Sequence, residues 1–355
     1  MNHEIEITSP SDQTTVATRT LASDASIQQA LLDSKNSQLN WRDTSLEARA
    51  KYCLKAVQWF MDNQSELAVE ISQQMGRPIQ YAKGEINGLQ ERALYMIEVA
   101  ASALQDIQLD AKPGFTRFIR PTALGTVLVI APWNYPYLTA VNAIIPALMA
   151  GNCVVLKHSA QTLLCAERFA QAFEHAGLPR GVFQYLHLDH EQTAHVVQHP
   201  VINFISFTGS VQGGKSIEKS AAGHFKSVAL ELGGKDAAYV RDDANLEAAV
   251  ESLVDGAFFN SGQSCCGVER IYLHQNVYEK FVKAFVALTQ QSILGNALDS
   301  ATTLGPMVNR QSAQYAREQA AQAQHMGAKL NINEEDFPLS KLNSNYLAPQ
   351  VLTHV

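Results

Sequence analysis

The sequence predicts an α/β protein built on a parallel sheet and followed by a second α/β domain, and three observations carry that expectation. Five short runs rich in β-branched and aliphatic residues recur from residue 126 onward, at 127–130, 154–156, 182–185, 202–207 and 228–230. Helix-patterned segments separate them, at 138–150, 161–174, 191–198 and 214–222. The runs are apolar on both faces, as expected for strands covered by helices on each side. Ligands of such sheets bind beyond the carboxyl ends of the strands, so the residues after each run matter most.

Composition narrows the function. A chain of 355 residues, 46% hydrophobic and 17% charged, has material for two domains with ample core, which excludes a disordered class. A formal charge of -7 argues against nucleic acid or an anionic membrane as the main partner. The longest apolar stretch, 138–150, is too short to span a bilayer and contains Asn142 and Pro146. The opening MNHEIEITSPSDQTT lacks the apolar core of a secretory leader. Cys53, Cys153, Cys165, Cys265 and Cys266 have no zinc-ligand spacing, and the histidines form no metal-like pair, so no metal site is expected. An odd cysteine count without a leader fits reduced thiols in a cytoplasm.

In chain order, residues 1–40 are Ser/Gln/Thr/Asp-rich and read as a loose arm leading into a helix. Ala50, Leu54, Val57, Phe60, Met61, Ala68 and Ile71 approximate one helical stripe across 46–75, and a second long helix is expected over about 82–104. Residues 105–123, with Pro113-Gly114 and Pro121, read as a hairpin leaving the domain body. After the five runs come two further strands, at 237–240 and 271–273. The expected division is a first domain over 1–232, with a bridging hairpin near 105–121, and a second over 233–355.

Chemistry concentrates in FFNSGQSCCGVER, residues 258–270. Free cysteines are usually buried packing residues, a description that suits Cys266. Cys265 sits among glycines and polar residues that allow backbone amides to approach a reacting oxygen, which suits a nucleophile. A catalytic thiol needs a base, and Glu231 stands at the end of the apolar run 228–230, where burial would raise its pKa. Asn134, bracketed by Pro132 and Pro136, is either an oxyanion donor or a turn residue satisfying its own backbone. Lys157, after the second run, either reaches ribose hydroxyls or is simply solvated. Phe207-Thr208-Gly209-Ser210-Val211-Gln212-Gly213-Gly214 is a glycine turn opening a helix, where a diphosphate can meet backbone amides.

Taken in order, Pro132-Trp133-Asn134, NAIIPALMAGNCVVLK over 142–157, FTGS over 207–210, ELGGK over 231–235 and the segment from Phe259 through Cys265 resemble the motifs of the NAD(P)-dependent aldehyde dehydrogenase superfamily, including the 34-residue step from Glu231 to Cys265. The resemblance runs from about residue 40 to the end. It implies a Rossmann-like dinucleotide-binding domain followed by a catalytic domain. Cys265 is then the nucleophile, Glu231 the general base, and Asn134 half of an oxyanion hole completed by the Cys265 amide. Lys157 resembles the adenosine-ribose ligand, Gly209, Ser210 and Gly214 the diphosphate turn, and Trp133 a wall of the cofactor cleft. Gly262 and Gln263 shape the nucleophile's surroundings. The implied reaction turns an aldehyde into a carboxylic acid through a thiohemiacetal and a thioester, with NAD or NADP as cofactor.

Two departures from the family pattern stand out: Ala160 where many members carry glutamate, and His158 where proline is common. Ala160 removes a carboxylate that would repel a 2′-phosphate, so NADP is expected to serve at least as well as NAD. Relatives continue past the last residue here into a Glu-x-Phe-Gly-Pro segment, so the catalytic domain is expected to be incomplete, with part of its core exposed and little activity in the 355-residue chain alone. An intact chain is expected to form a homo-oligomer. The alternative function is an inactive truncated fragment or a non-catalytic binding protein.

Overall fold

The structure, a computed structural model, describes residues 4–355. The N-terminal stretch is ordered by strand pairing, which corrects the expected loose arm: β1 (Glu4–Thr8) pairs with β2 (Thr15–Thr20). Ile5 and Ile7 alternate with Glu4 and Glu6, and Ile7 is fully buried, so the period-two pattern outweighs the polar composition. Helix α1 (Asp24–Trp41) follows, with the Ser23 side chain accepting from the Ser26 amide. The single helix expected over 46–75 is two, α2 (Leu46–Asp62) and α3 (Gln64–Met75). Asn63 makes the break, turning its Nδ2 back onto the Trp59 carbonyl at 2.7 Å. Helix α4 (Ile79–Ala103) leads to the hairpin of β3 (Ile107–Gln108) and β4 (Phe118–Ile119), which is antiparallel as expected.

The sheet follows the predicted rhythm: β5 (Thr126–Ala131), α5 (Pro136–Met149), β6 (Cys153–His158), α6 (Leu163–His175), β7 (Phe183–Tyr185), α7 (His190–Gln198), β8 (Ile202–Thr208), α8 (Val211–Ala221) and β9 (Ser227–Glu231). All five strands are parallel, in the order β7-β6-β5-β8-β9. Val129 at the centre lies opposite Leu156 on one side and Ser206 on the other. Every residue of β5 and β6 is buried. The chain winds outward from β5 to β7, then returns to β8 and winds the other way. That reversal opens a crevice beyond the carboxyl ends of β5 and β8, where Pro132-Trp133-Asn134 and the Gly209-Ser210 turn lie. Leu128, Ile130, Val155, Ile205 and Phe207 share one apolar cluster with Ile217 of α8 and Val196 of α7.

Edge strand β9 is not apolar on both faces as expected; its exposure alternates. Val228, Leu230 and Leu232 pack inward against the cluster. Glu231 points the other way and is exposed.

Two compact units emerge. One holds residues 4–7, Thr18–Leu67 and Gly84–Leu232; the other holds Thr8–Ala17, Ala68–Lys83 and Gly233–Val355. The domain expected at 233–355 thus also takes in two earlier stretches. Ser11 Oγ accepts from the Ala297 amide at 3.1 Å, Pro10 O accepts from Asn345 Nδ2 at 3.0 Å, and the Ile79 amide donates to Ala297 O at 2.7 Å. In this unit β10 (Asp236–Val240) and β11 (Val268–Leu273) form a parallel pair joined through α9 (Leu246–Phe258). Helices α10 (Tyr278–Thr289) and α11 (Arg310–His325) follow, then β12 (Lys329–Leu330), which is antiparallel to β13 (Leu352–Thr353). Val240, Val250, Val277, Phe281 and Phe285 form its buried cluster, while Tyr239 and Tyr272 on the strand pair are 64% and 52% exposed. Among the described residues no helix is long and apolar enough to cross a membrane.

Candidate active site

In the first unit the crevice is lined by three strand ends. After β5, Pro136 occupies the first turn of α5, where its missing N–H costs nothing. The free amides of that turn are taken by Glu85, whose buried Oε1 accepts from Tyr137 N at 3.0 Å and Leu138 N at 2.9 Å. A carboxylate from α4 thereby satisfies the positive end of α5. No local pattern marks Glu85, which lies 52 residues from Tyr137 on a helix expected only to pack. Asn134 is half-buried, and its Oδ1 accepts from the next amide, Tyr135 N, at 3.1 Å. Its carboxamide oxygen therefore makes the local turn contact that the sequence allows. That bond fixes which way the amide group faces. Trp133 beside it is also half-buried.

After β6, Lys157 is 8% exposed, not solvated as an end-of-strand lysine usually is. Burial lowers its pKa, partly opposed by the charge of Asp189. His158 is buried and structural. One of its ring nitrogens lies 3.0 Å from Pro136 O and the other 3.0 Å from Thr162 Oγ1, and burial lowers its pKa to about 4. It is a neutral tie between the β6 end and the α5 start. Ala160 is exposed at the start of the short turn Ala160–Thr162.

After β8, Ser210 caps α8: its Oγ accepts from Gly213 N at 3.0 Å and its carbonyl from Gly214 N at 2.9 Å. None of the glycines here adopts a left-handed backbone; packing demands them instead. A Cβ on Gly209 would sit 2.8 Å from the Phe207 ring, one on Gly213 2.7 Å from the same atom, and one on Gly214 2.7 Å from Leu232. Val211 and Gln212, which open the helix, are exposed. Gly209 N donates to Glu231 O at 3.0 Å, so the glycine turn is tied directly to the end of β9.

Glu231 itself departs from the sequence expectation. The apolar run before it predicts a buried strand end, but the alternation along an edge strand turns the side chain outward.

In the second unit Cys265 is exposed on a turn whose approach is unusual. Asn260, Ser261 and Gly262 have φ of 54°, 57° and 72°, three successive left-handed residues. The first two are not glycine, so the turn must be held by its surroundings. Burial and the neighbouring Cys266, with a smaller contribution from Asp236, raise the Cys265 pKa. The isolated turn therefore keeps a thiol, and reaction requires a base. Cys266 is not the packing cysteine that its sequence context suggests; it is exposed, with its Sγ 3.3 Å from Ser264 Oγ, because the turn projects both residues outward. The buried free cysteines are Cys53, Cys153 and Cys165.

Known proteins give the context. The model described as the aldehyde dehydrogenase family matches residues 1–355. Among curated proteins, the succinate semialdehyde dehydrogenase [NAD(P)+] Sad of Escherichia coli (strain K12) is 30% identical over 320 residues, covering 89% of this chain and 68% of that protein. The D-glyceraldehyde dehydrogenase (NADP(+)) of Thermoplasma acidophilum is 31% identical over 291 residues, covering 82% and 59%. Among solved structures, PnpE in complex with nicotinamide adenine dinucleotide superposes with a TM-score of 0.92 at 28% identity, covering 99% of this chain and 72% of that one. The Gox0499 structure gives 0.93 at 29% identity, covering 99% and 76%. The chain spans 59% to 71% of the length of three such curated relatives.

Proposed function

Because this chain belongs to the aldehyde dehydrogenase family, we propose that it oxidises an aldehyde to a carboxylic acid with NAD or NADP, using Cys265 as nucleophile, Glu231 as general base and Asn134 as oxyanion donor. The family match along the whole of residues 1–355 carries this reading. The exposure of Cys265 supports its assignment, since a buried thiol could not meet a substrate.

The crevice of the first unit suits a dinucleotide. Val211 and Gln212 open α8 on the exposed side, and the first amides of a helix are available to a diphosphate. Lys157 would hold a ribose, with Trp133 as a wall. Bound NAD(P) supplies the hydride acceptor.

The chain's own residues do the rest. As Cys265 Sγ bonds to the aldehyde carbon, its thiol proton is lost to solvent, and Glu231, the assigned general base, stays an ionised carboxylate for the hydrolytic half of the reaction. The oxyanion is stabilised by the Asn134 amide and the Cys265 backbone N–H, one such donor being worth about 3 kcal/mol. Loss of hydride from the same carbon leaves a thioester on Cys265. Water then attacks that carbon and gives its proton to Glu231; the C–S bond breaks, sulfur regains a proton, and the acid leaves.

Ala160 is exposed and carries no charge against a 2′-phosphate, so NADP serves at least as well as NAD. The hairpin of β3 and β4 exposes Ile107, Phe115 and Ile119 by 56%, 65% and 54%, a surface suited to association between copies of the chain. Five free cysteines suit a reducing cytoplasm. A nicotinamide-reduction assay over a panel of aliphatic, aromatic and semialdehyde substrates tests the reading. Turnover lost in Cys265→Ala and kept in Cys266→Ala is the expected result; equal loss in both contradicts the assignment.

A further inference from the structure

We infer that Arg77 is a positioning residue for the nucleophile, acting through Asn260 to fix the left-handed turn from which Cys265 is presented. The inference rests on the reading of Cys265 as the nucleophile.

Arg77 lies between α3 and α4 and is 2% exposed, among the largest fully buried side chains of the chain. Its Nε donates to Asn260 Oδ1 at 3.1 Å, and its guanidinium carbon sits 5.9 Å from the centre of the Phe259 ring. Tyr81, in the first turn of α4, packs against that ring with centroids 5.8 Å apart. Phe259 and Asn260 are thus gripped together by the segment around Arg77.

Asn260 is the first of the three left-handed residues and is 3% exposed. Its backbone carbonyl accepts from the Gln263 amide at 3.1 Å and from Gln263 Nε2 at 3.1 Å. Gln263 Oε1 in turn accepts from Val308 N at 2.8 Å, and Ser261 Oγ donates to Gly305 O at 2.9 Å. Gly76, immediately before Arg77, closes the arrangement: at φ +82° a Cβ there would lie 2.9 Å from Pro306. Three distant stretches, around Arg77, Asn260 and Gly305, are therefore locked at one crossing.

Left-handed backbone suits glycine and is tolerated by asparagine; serine at φ 57° is held by what surrounds it. The buried guanidinium holds the Asn260 side-chain oxygen in the crossing, while Asn260 Nδ2 donates to Gln263 O at 3.4 Å. Two residues past the Gln263 bonds stands Cys265. Displacement of a reacting atom by about 1 Å can cost two orders of magnitude in rate, so a holder of this turn acts on turnover without touching substrate.

Amide hydrogen exchange on the full chain, read peptide by peptide, decides the point with Arg77→Gln and Arg77→Lys. In Arg77→Gln, exchange over residues 259–265 is expected to rise at least about tenfold while Leu246–Phe258 and Tyr278–Thr289 keep their protection. Turnover is expected to fall about tenfold or more with KM for the cofactor unchanged, and Arg77→Lys, still able to donate to Asn260, to recover part of both. Unchanged exchange over 259–265 overturns the inference, as does a rise spread evenly over the second unit with lysine no better than glutamine. Wild-type turnover in Cys265→Ala would instead remove the nucleophile reading, leaving the exchange result to stand or fall separately.

Discussion

The backbone of Gly234 lies directly against the carbonyl oxygen of Cys265: a Cβ at residue 234 would be 2.6 Å from that oxygen. The stretch that opens the long C-terminal part of the second unit therefore passes the Cys265 turn at backbone distance, and only glycine permits it. Gly234→Ala forces one of the two to move. The expected outcome is a loss of about 1–3 kcal/mol in stability and at least about tenfold in turnover. Thermal unfolding and steady-state kinetics check both; a fully active Gly234→Ala would show that the Cys265 carbonyl can shift without consequence.

The raised Cys265 pKa has a measurable sign. Burial and Cys266 disfavour the thiolate, so at neutral pH less thiolate is present than for an ordinary cysteine. Alkylation of Cys265 by iodoacetamide, followed by peptide mass spectrometry without cofactor, is expected to accelerate with pH through a midpoint above that of a free cysteine peptide. A midpoint below that of the peptide would mean that the turn activates the thiol unaided.

With Lys157 at the ribose as proposed, cofactor choice is expected to turn on Ala160, three residues after it and exposed. Ala160→Glu adds a carboxylate that accepts from ribose hydroxyls and repels a 2′-phosphate. The ratio of kcat/KM for NAD over NADP is expected to rise about tenfold, on the order of 1.4 kcal/mol. A ratio moved toward NADP would contradict the placement of Lys157 and Ala160 at the ribose.

Much of the fold is legible in the sequence because strand and helix periods differ. The runs at 127–130 and 154–156 are apolar throughout and form the fully buried strands β5 and β6. The Gly209-Ser210 turn and the cysteine turn stand out by residue type and position alone. The β1–β2 pair is hidden because Ser, Thr and Gln dominate its connection, although Glu4-Ile5-Glu6-Ile7 alternates cleanly. The exposure of Glu231 is not legible, because edge position in a sheet is a tertiary fact; the same apolar run in a central strand would have buried its end. Glu85 on the α5 amides and Arg77 on Asn260 carry no local signal at all, being 52 and 183 residues from their partners.

The most direct measurement is the acyl adduct itself. With Glu231 as the proposed water-activating base, Glu231→Gln is expected to slow hydrolysis of the thioester more than its formation, so mixing this variant with oxidised cofactor and an aldehyde is expected to give a burst of reduced cofactor followed by slow turnover. Peptide mass spectrometry of the quenched mixture is expected to find the acyl group on Cys265, dependent on oxidised cofactor and absent from Cys266. An adduct on Cys266, no adduct on either cysteine, or a Glu231→Gln variant that turns over at the wild-type rate without a burst would contradict the account.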